Sequence, residues 1–180
     1  LRIERIRLAV PADNIKTEDL VRTSGYSSEQ MYAELLNIAN SFSDGDLKLI
    51  VTTILEENRK PLLYWPAAYK LHHAVRGGLL MHTLSIARLC EGVCAVYPFI
   101  DRDLLLSGAI LHDIAKIQEF NVNDAGVAEG YTVEGNLLGH LTMGANYIDR
   151  VAEKLGIERK TSVLLQHMVL SHHGEPEFGA

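Results

Sequence analysis

Apolar residues recur every three or four positions along most of the chain after residue 28. This spacing is typical of helices that bury one face and expose the other. In the first such segment, Met31, Leu35 and Ile38 share a face, and Ser27-Ser28-Glu29-Gln30 has the pattern of a capping box. The predicted helices cover 28–41, a segment after an N-cap at Asp44, a brief turn from Pro66, 79–96, a segment after an N-cap at Asp101, 137–155 and 158–172.

The first ten residues show a different pattern, in which apolar and charged residues alternate imperfectly. Residues 1–10 are predicted to form one strand with a bulge near Glu4-Arg5. A lone strand needs partners, and 11–27 is polar and rich in turn formers, which is typical of a linker. We therefore expect the strand to end an upstream β domain, most of which lies outside this chain. An all-α domain is predicted for 28–180, with a small hairpin near 119–135 that contains Val127, Tyr131 and Val133.

Composition limits the classes of function. The chain has 180 residues, 47% of them apolar, and a net charge of −6. A domain this acidic does not attract nucleic acid through its overall field, so a polyanionic substrate needs a local positive feature such as bound cations. No apolar run approaches membrane-spanning length, which predicts a protein without a membrane partner. Cys90 and Cys94 lie one turn apart and are expected to face the core as free thiols, as suits a reducing cytoplasm.

The segment 108–116 places His112 and Asp113 side by side in an apolar run with helical spacing. Burying both groups is costly unless they are compensated, and a metal ion is the usual compensation. For an isolated pair, a core histidine beside a capping Asp would be the more common explanation. This pair is not isolated, because further histidines stand near the ends of the other predicted helices. Lys116 follows His112 by four residues, which predicts that the two share a helix face.

Imidazole and carboxylate ligands suit divalent transition metals, and the absence of thiolates from the cluster argues against a structural zinc site. The candidates outnumber the ligands of one tetrahedral ion, so a two-metal site is plausible, with ions about 3.5–4 Å apart. Asp113 is the natural bridge, because it alone is an acid embedded among the histidines. Lys116 is the natural contact for a substrate phosphate.

The order of these residues resembles that of the HD-domain metal-dependent phosphohydrolases. The matching residues are His82, His112-Asp113, His140 and His172-His173, with Lys116 completing His-Asp-x-x-Lys. Four further segments are similar to the YhaM-like 3′→5′ exoribonucleases, in which an OB-fold domain precedes the HD domain. They are Leu71-His72-His73-Ala74, Gly77-Gly78-Leu79-Leu80-Met81-His82-Thr83, Tyr131-Thr132-Val133-Glu134-Gly135 and Ser171-His172-His173-Gly174-Glu175. The strand at 1–10 would then end the OB fold.

The resemblance implies a role for each matching residue. One ion would be held by His82, His112 and Asp113. The other would be held by Asp113, His140, His172 and His173. Mn²⁺ is the first expectation, with Co²⁺, Fe²⁺, Ni²⁺ or Zn²⁺ as alternatives. Lys116 would contact the scissile phosphate and act in catalysis with Asp113.

Three histidines stand apart from the implied ligands, and of these His72 is expected at the surface. His73 is a candidate substrate contact, because it precedes the glycine break and His82. His167 is expected to lie in the core or to support a ligand from outside.

In one respect the chain departs from the family pattern. HD domains complete their site with a later Asp on a further helix, whereas the last acids here are Glu175 and Glu177, in another context. We therefore expect a domain that is incomplete at its C-terminus and whose first ion is weakly held. We also expect uncovered apolar surface around the helices of His82 and His112, which would favour homo-oligomers.

Three functions follow, in two classes. The first is hydrolysis of single-stranded RNA from its 3′ end, and the second is hydrolysis of a nucleotide or cyclic dinucleotide by the same centre. The third is a binding or scaffold domain with a vestigial site. The retention of Lys116 argues against the third, since a scaffold has no use for a buried cation that contacts phosphate.

Overall fold

The computed structural model describes residues 7, 10, 13, 26–68 and 75–176. The predicted strand at 1–10 and the linker lie largely outside this part of the chain, as does most of the brief helix predicted from Pro66. His73 also lies outside it. The predicted upstream OB fold and the domain boundaries therefore remain predictions.

The described chain is a bundle of helices, interrupted once by a two-stranded antiparallel sheet, which confirms the predicted all-α class with a small hairpin. The helices are α1 Ser28–Asn40, α2 Gly45–Glu57, α3 Arg59–Leu62, α4 Gly78–Val96, α5 Arg102–Leu111, α6 Lys116–Glu119, α7 Val133–Leu137, α8 Gly139–Leu155 and α9 Arg159–Ser171; the strands β1 Phe120–Val122 and β2 Ala128–Tyr131 lie between α6 and α7.

Polar residues begin the helices where the sequence predicts N-caps. The Ser27 hydroxyl accepts a hydrogen bond from the backbone N–H of Gln30, and the Asp44 carboxylate accepts from Asp46 and Leu47. Asp101 caps α5 in the same way. Each bond satisfies a backbone donor that the first turn leaves unpaired, which typically contributes about 1 kcal/mol. These caps fix where α1, α2 and α5 start.

The core is built around α5, which packs against α1, α2, α4 and α9. Leu106, Ile110 and Leu111 of α5 are almost completely buried. Ser107 is buried as well, and its hydroxyl donates to the backbone carbonyl of Asp103. The last residue of α5 is therefore held firmly, and His112 and Asp113 follow it directly.

The prediction that His112, Asp113 and Lys116 share one continuous helix is wrong. The α5 helix ends at Leu111, residues 112–115 form a turn, and α6 starts at Lys116. The N–H of Lys116 donates to the carbonyl of Asp113, three residues back, which tightens the chain. His112 and Asp113 occupy the first two positions of this turn.

The hairpin is confirmed, although its limits differ from the prediction. Phe120 pairs with Tyr131, while Val127 lies in the connecting loop and Val133 begins α7. The helix predicted for 137–155 is confirmed as α8, although it begins two residues later, at Gly139, because the short helix α7 ends at Leu137. Gly139 has φ = 67°, a left-handed conformation that a right-handed helix interior does not contain.

The α4 helix contains no uninterrupted apolar run of membrane-spanning length, because His82, Arg88 and Glu91 interrupt it. Among the described helices it alone has the length and apolar composition of a span. Arg88 of α4 pairs with Glu34 of α1, and Glu91 pairs with Arg102 of α5. Core helices of globular domains meet the same two criteria, so length and composition are weak evidence here. The ion pairs tie α4 to its neighbours in the bundle.

Candidate metal centre

The predicted histidines converge from three helices and one turn. His82 lies near the start of α4, His140 near the start of α8, and His172-His173 directly after α9. Two groups have ligand atoms within 4.8 Å of one another: His82, His112 and Asp113 form one, and His140, His172 and His173 form the other. The helix ends thus bring together residues that are up to 91 positions apart in the sequence.

Asp113 lies between these two groups and is only 3% exposed. Its Oδ2 atom is 3.3 Å from Nε2 of His112 and 3.6 Å from Nε2 of His82. Its Oδ1 atom is 3.4 Å from Nε2 of His140 and 3.8 Å from Nε2 of His172. Each carboxylate oxygen therefore faces a different pair of imidazoles, which is the arrangement that a carboxylate bridging two cations requires.

Lys116 makes a direct ion pair with this carboxylate, with Nζ 2.8 Å from Oδ2 of Asp113. Burial opposes ionisation of Asp113, but contacts with His112 and Lys116 outweigh burial and hold the pKa of the carboxyl well below its ordinary range. Asp113 is thus an anion at neutral pH. Lys116 thus contacts Asp113, three residues before it in the sequence, rather than His112.

The outward nitrogens of three imidazoles have backbone or carboxylate partners. Nδ1 of His112 lies 2.8 Å from the carbonyl of Ala109, and Nδ1 of His172 lies 2.7 Å from the carbonyl of Val169. Nδ1 of His140 lies 3.0 Å from Oε1 of Glu119. Because these oxygens accept, the neutral form of each ring would donate from Nδ1 and keep its lone pair on Nε2, which points toward Asp113.

The donor set fits divalent cations. Nε2 of His140 is buried, and no hydrogen-bond partner reaches it among the described residues. Burial lowers the pKa of His172 to about 4, so this ring is a neutral potential ligand at physiological pH. A buried nitrogen lone pair without a partner is costly, and a cation beside it removes that cost. Neutral imidazoles around one carboxylate can hold divalent transition metals.

Two residues near this centre, His167 and Glu119, differ from what the sequence predicts. His167 is exposed, so its predicted place in the core or behind a ligand is wrong. Glu119, which has no predicted role, is only 6% exposed and contacts His140. Local spacing in the sequence does not indicate the contact of Glu119 with His140, because His140 lies 21 residues further along the chain.

An open apolar cavity of about 370 Å³ adjoins His82, His112 and His172. Its apolar walls come from α4, α5 and α9 and include Ile86, Cys90, Leu105, Ala109 and Met168. Leu89, Val93 and Val96 extend the exposed apolar surface along α4. Apolar surface is therefore open around the two helices for which the sequence analysis expects it. Cys90 and Cys94 are half-buried free thiols, and Cys90 borders this cavity rather than lying deep in the core.

Comparison with known families identifies the domain. The HD-domain family matches residues 79–178, which contain every residue of the cluster. The chain belongs to the HD-domain family. This membership confirms the resemblance to HD-domain metal-dependent phosphohydrolases, and the His82, His112-Asp113 and Lys116 segments that carry it lie within the match.

Proteins named 3′-5′ exoribonuclease YhaM are similar to the whole chain, which confirms the resemblance to that group. The protein from Bacillus licheniformis is 36% identical over all 180 residues, which cover 56% of its length. Those from Listeria welshimeri and Geobacillus sp. are 34% and 36% identical, with 56% and 55% of their lengths covered. The chain thus spans a little over half the length of these relatives. No solved structure matches the chain significantly.

Proposed function

We propose that this HD domain is the hydrolytic unit of a phosphodiesterase that removes nucleotides one at a time from the 3′ end of single-stranded RNA. The observation that carries the proposal is the position of Asp113, whose two oxygens face two separate pairs of imidazoles. The names of the relatives support RNA as the substrate class.

In this proposal, His82, His112 and Asp113 hold one divalent ion, while Asp113, His140, His172 and His173 hold a second. Ions bound there would neutralise charge on the scissile phosphate and supply a nucleophile at neutral pH. Mn²⁺ is the first candidate, and Co²⁺, Fe²⁺, Ni²⁺ and Zn²⁺ also suit this set of ligands.

Lys116 is proposed to contact a non-bridging oxygen of the scissile phosphate. Its ammonium group lies 2.8 Å from the carboxylate at the middle of the cluster, and its side chain is 17% exposed. A cation there would also supply the local positive feature that an acidic chain needs to attract a polyanion. His73 stays a predicted substrate contact outside the described residues.

Two alternative functions remain. In the first, the same metal centre would hydrolyse a nucleotide or cyclic dinucleotide instead of RNA. In the second, the domain would be a scaffold that keeps the metal centre but catalyses no reaction.

An upstream OB fold would bind the single strand, as folds of that type do. Cytoplasmic location and homo-oligomers remain further predictions.

The test is digestion of a 5′-labelled single-stranded oligoribonucleotide in Mn²⁺. The proposal predicts products that shorten by one nucleotide at a time from the 3′ end and released nucleoside monophosphates. Asp113→Asn should abolish both, while Asp124→Asn, a change at an exposed loop aspartate, should leave both intact.

Other products would decide between the alternatives. Intact RNA together with hydrolysed mononucleotides or cyclic dinucleotides would support the second enzymatic function. Bound metal without turnover of any of these substrates would support the scaffold.

A further inference from the structure

Glu119, the last residue of α6, is a buried acid that contacts one residue of the metal cluster, His140. It is 6% exposed, and its Oε1 atom accepts from two donors of one residue, the backbone N–H of His140 at 3.2 Å and Nδ1 of His140 at 3.0 Å. Burying a carboxylate costs several kcal/mol of folding free energy unless the carboxylate is paired. Both contacts of this carboxylate are with a residue of the metal cluster.

The opposite nitrogen of the same ring points into the cluster. Nε2 of His140 lies 3.4 Å from Oδ1 of Asp113, and it is buried without a hydrogen-bond partner among the described residues. A ring that donates from Nδ1 to a carboxylate keeps its lone pair on Nε2, and the negative charge behind the ring makes that nitrogen a stronger ligand. Glu119 therefore fixes both the direction and the tautomer of His140.

We propose that Glu119 is a positioning residue that orients His140 for the second metal ion and is itself held in place by the segment 120–137. This inference rests on the proposed function, because it takes His140 to be a metal ligand. It extends that function, because the hairpin and α7 would hold Glu119 in the position from which it orients His140.

The segment 120–137 holds the backbone of Glu119 through Thr132 and Gly135. The N–H of Thr132 donates to the carbonyl of Glu119 at 2.9 Å, and its hydroxyl donates to the carbonyl of Gln118 at 2.8 Å. The same hydroxyl oxygen accepts from the N–H of Gly135, which caps α7. A side chain at 135 would place its Cβ atom 2.3 Å from the carbonyl oxygen of Glu119, so only glycine permits this approach.

The first test measures metal affinity by calorimetric titration with Mn²⁺. Glu119→Ala should weaken one of the two binding events by roughly 10- to 100-fold, the usual effect of losing the partner of a ligating histidine, and should leave the event assigned to His82 and His112 unchanged. Glu119→Gln keeps an acceptor without the charge, so it should fall between Glu119→Ala and the parent protein. Glu134→Gln, at an exposed position on α7, is the matched control and should change neither event.

The second test needs no metal. Long-range ¹H–¹⁵N NMR spectra of the metal-free protein report the tautomer of each histidine. The Nδ1–H tautomer of His140 should be present in the parent protein and in Glu119→Gln, and should give way to a mixture in Glu119→Ala. Gly135→Ala, which touches no side chain of the cluster, should shift the same signals and weaken the same binding event.

The outcomes separate this inference from the proposed function. If the parent protein binds no metal while the His140 tautomer follows Glu119 as expected, the proposed function fails and the positioning contact stands. If Glu119→Ala keeps the parent tautomer and both affinities, Glu119 does not position His140. If Glu119→Gln lowers the unfolding midpoint and weakens both binding events equally, its role is only structural and the inference is wrong.

Discussion

The Nε2 atoms of His82 and His112 lie 3.1 Å apart, although thirty positions separate the two residues in the sequence. Nδ1 of His112 lies 2.8 Å from the carbonyl of Ala109, so the neutral form of this ring that donates from Nδ1 presents a lone pair to His82. A proton on Nε2 of His82 would donate to that lone pair. In the proposed metal-bound centre, the two nitrogens would instead face one cation.

Divalent metal should stabilise the fold, because it binds the assembled cluster and not the unfolded chain. At a free concentration of about 100 times Kd, one ion adds about 2.7 kcal/mol to the free energy of unfolding. Thermal unfolding followed by circular dichroism, in Mn²⁺ and in EDTA, measures the gain as a higher Tm. His82→Ala should reduce the gain, while His167→Ala, at an exposed position, should retain it. An equal gain in His82→Ala would remove His82 from the ligands.

Lys116→Ala should bind metal but turn over poorly. If the ammonium group stabilises charge on the phosphate only during reaction, its loss should lower kcat by roughly 10²- to 10³-fold, as for comparable electrostatic donors. Metal content by elemental analysis should stay at the parent level. Lys154→Ala serves as the control, since Lys154 pairs with Glu57 at the surface and should leave kcat unchanged. Loss of metal in Lys116→Ala would make Lys116 a structural partner of Asp113 instead.

The metal-free protein should lose stability as the pH falls from about 6.5 toward 4. Burial lowers the pKa of His172 from 6.5 to about 4. Between pH 4 and pH 6.5, the unfolded chain therefore binds a proton at His172 that the folded chain does not bind. Stability from this residue is thus complete above pH 6.5 and is lost on acidification. Urea unfolding in EDTA at several pH values measures the slope, which should be shallower in His172→Asn. An unchanged slope in that variant would show that His172 titrates normally.

The sequence predicts what local spacing and short motifs determine. The caps at Ser27, Asp44 and Asp101 lie within three residues of the donors they satisfy, so they are visible in the sequence. The end of α5 at Leu111 was missed, because no glycine or proline interrupts the apolar run there. Glu119 was missed for a different reason, since only the fold brings it to His140.

The sequence predicts which histidines belong to the cluster, but it does not predict which atoms of the cluster face one another. Recurring histidines at helix ends, together with His-Asp-x-x-Lys, indicated which residues belong to one centre. Which oxygen of Asp113 faces which imidazole depends on how α4, α8 and α9 pack around it, which local spacing does not contain. The pair of Lys116 with Asp113 has the three-residue spacing that neighbours on a helix also have.

Whether Asp113 bridges two metal ions can be measured by Mn²⁺ binding to the parent protein and to Asp113→Asn. Stoichiometry comes from titration at saturating Mn²⁺, and electron paramagnetic resonance shows whether two ions are coupled. A bridging Asp113 predicts two coupled ions in the parent protein and the loss of both in Asp113→Asn, with Asp124→Asn unchanged. Two tightly bound ions in Asp113→Asn, or a single isolated ion in the parent protein, would contradict the bridge.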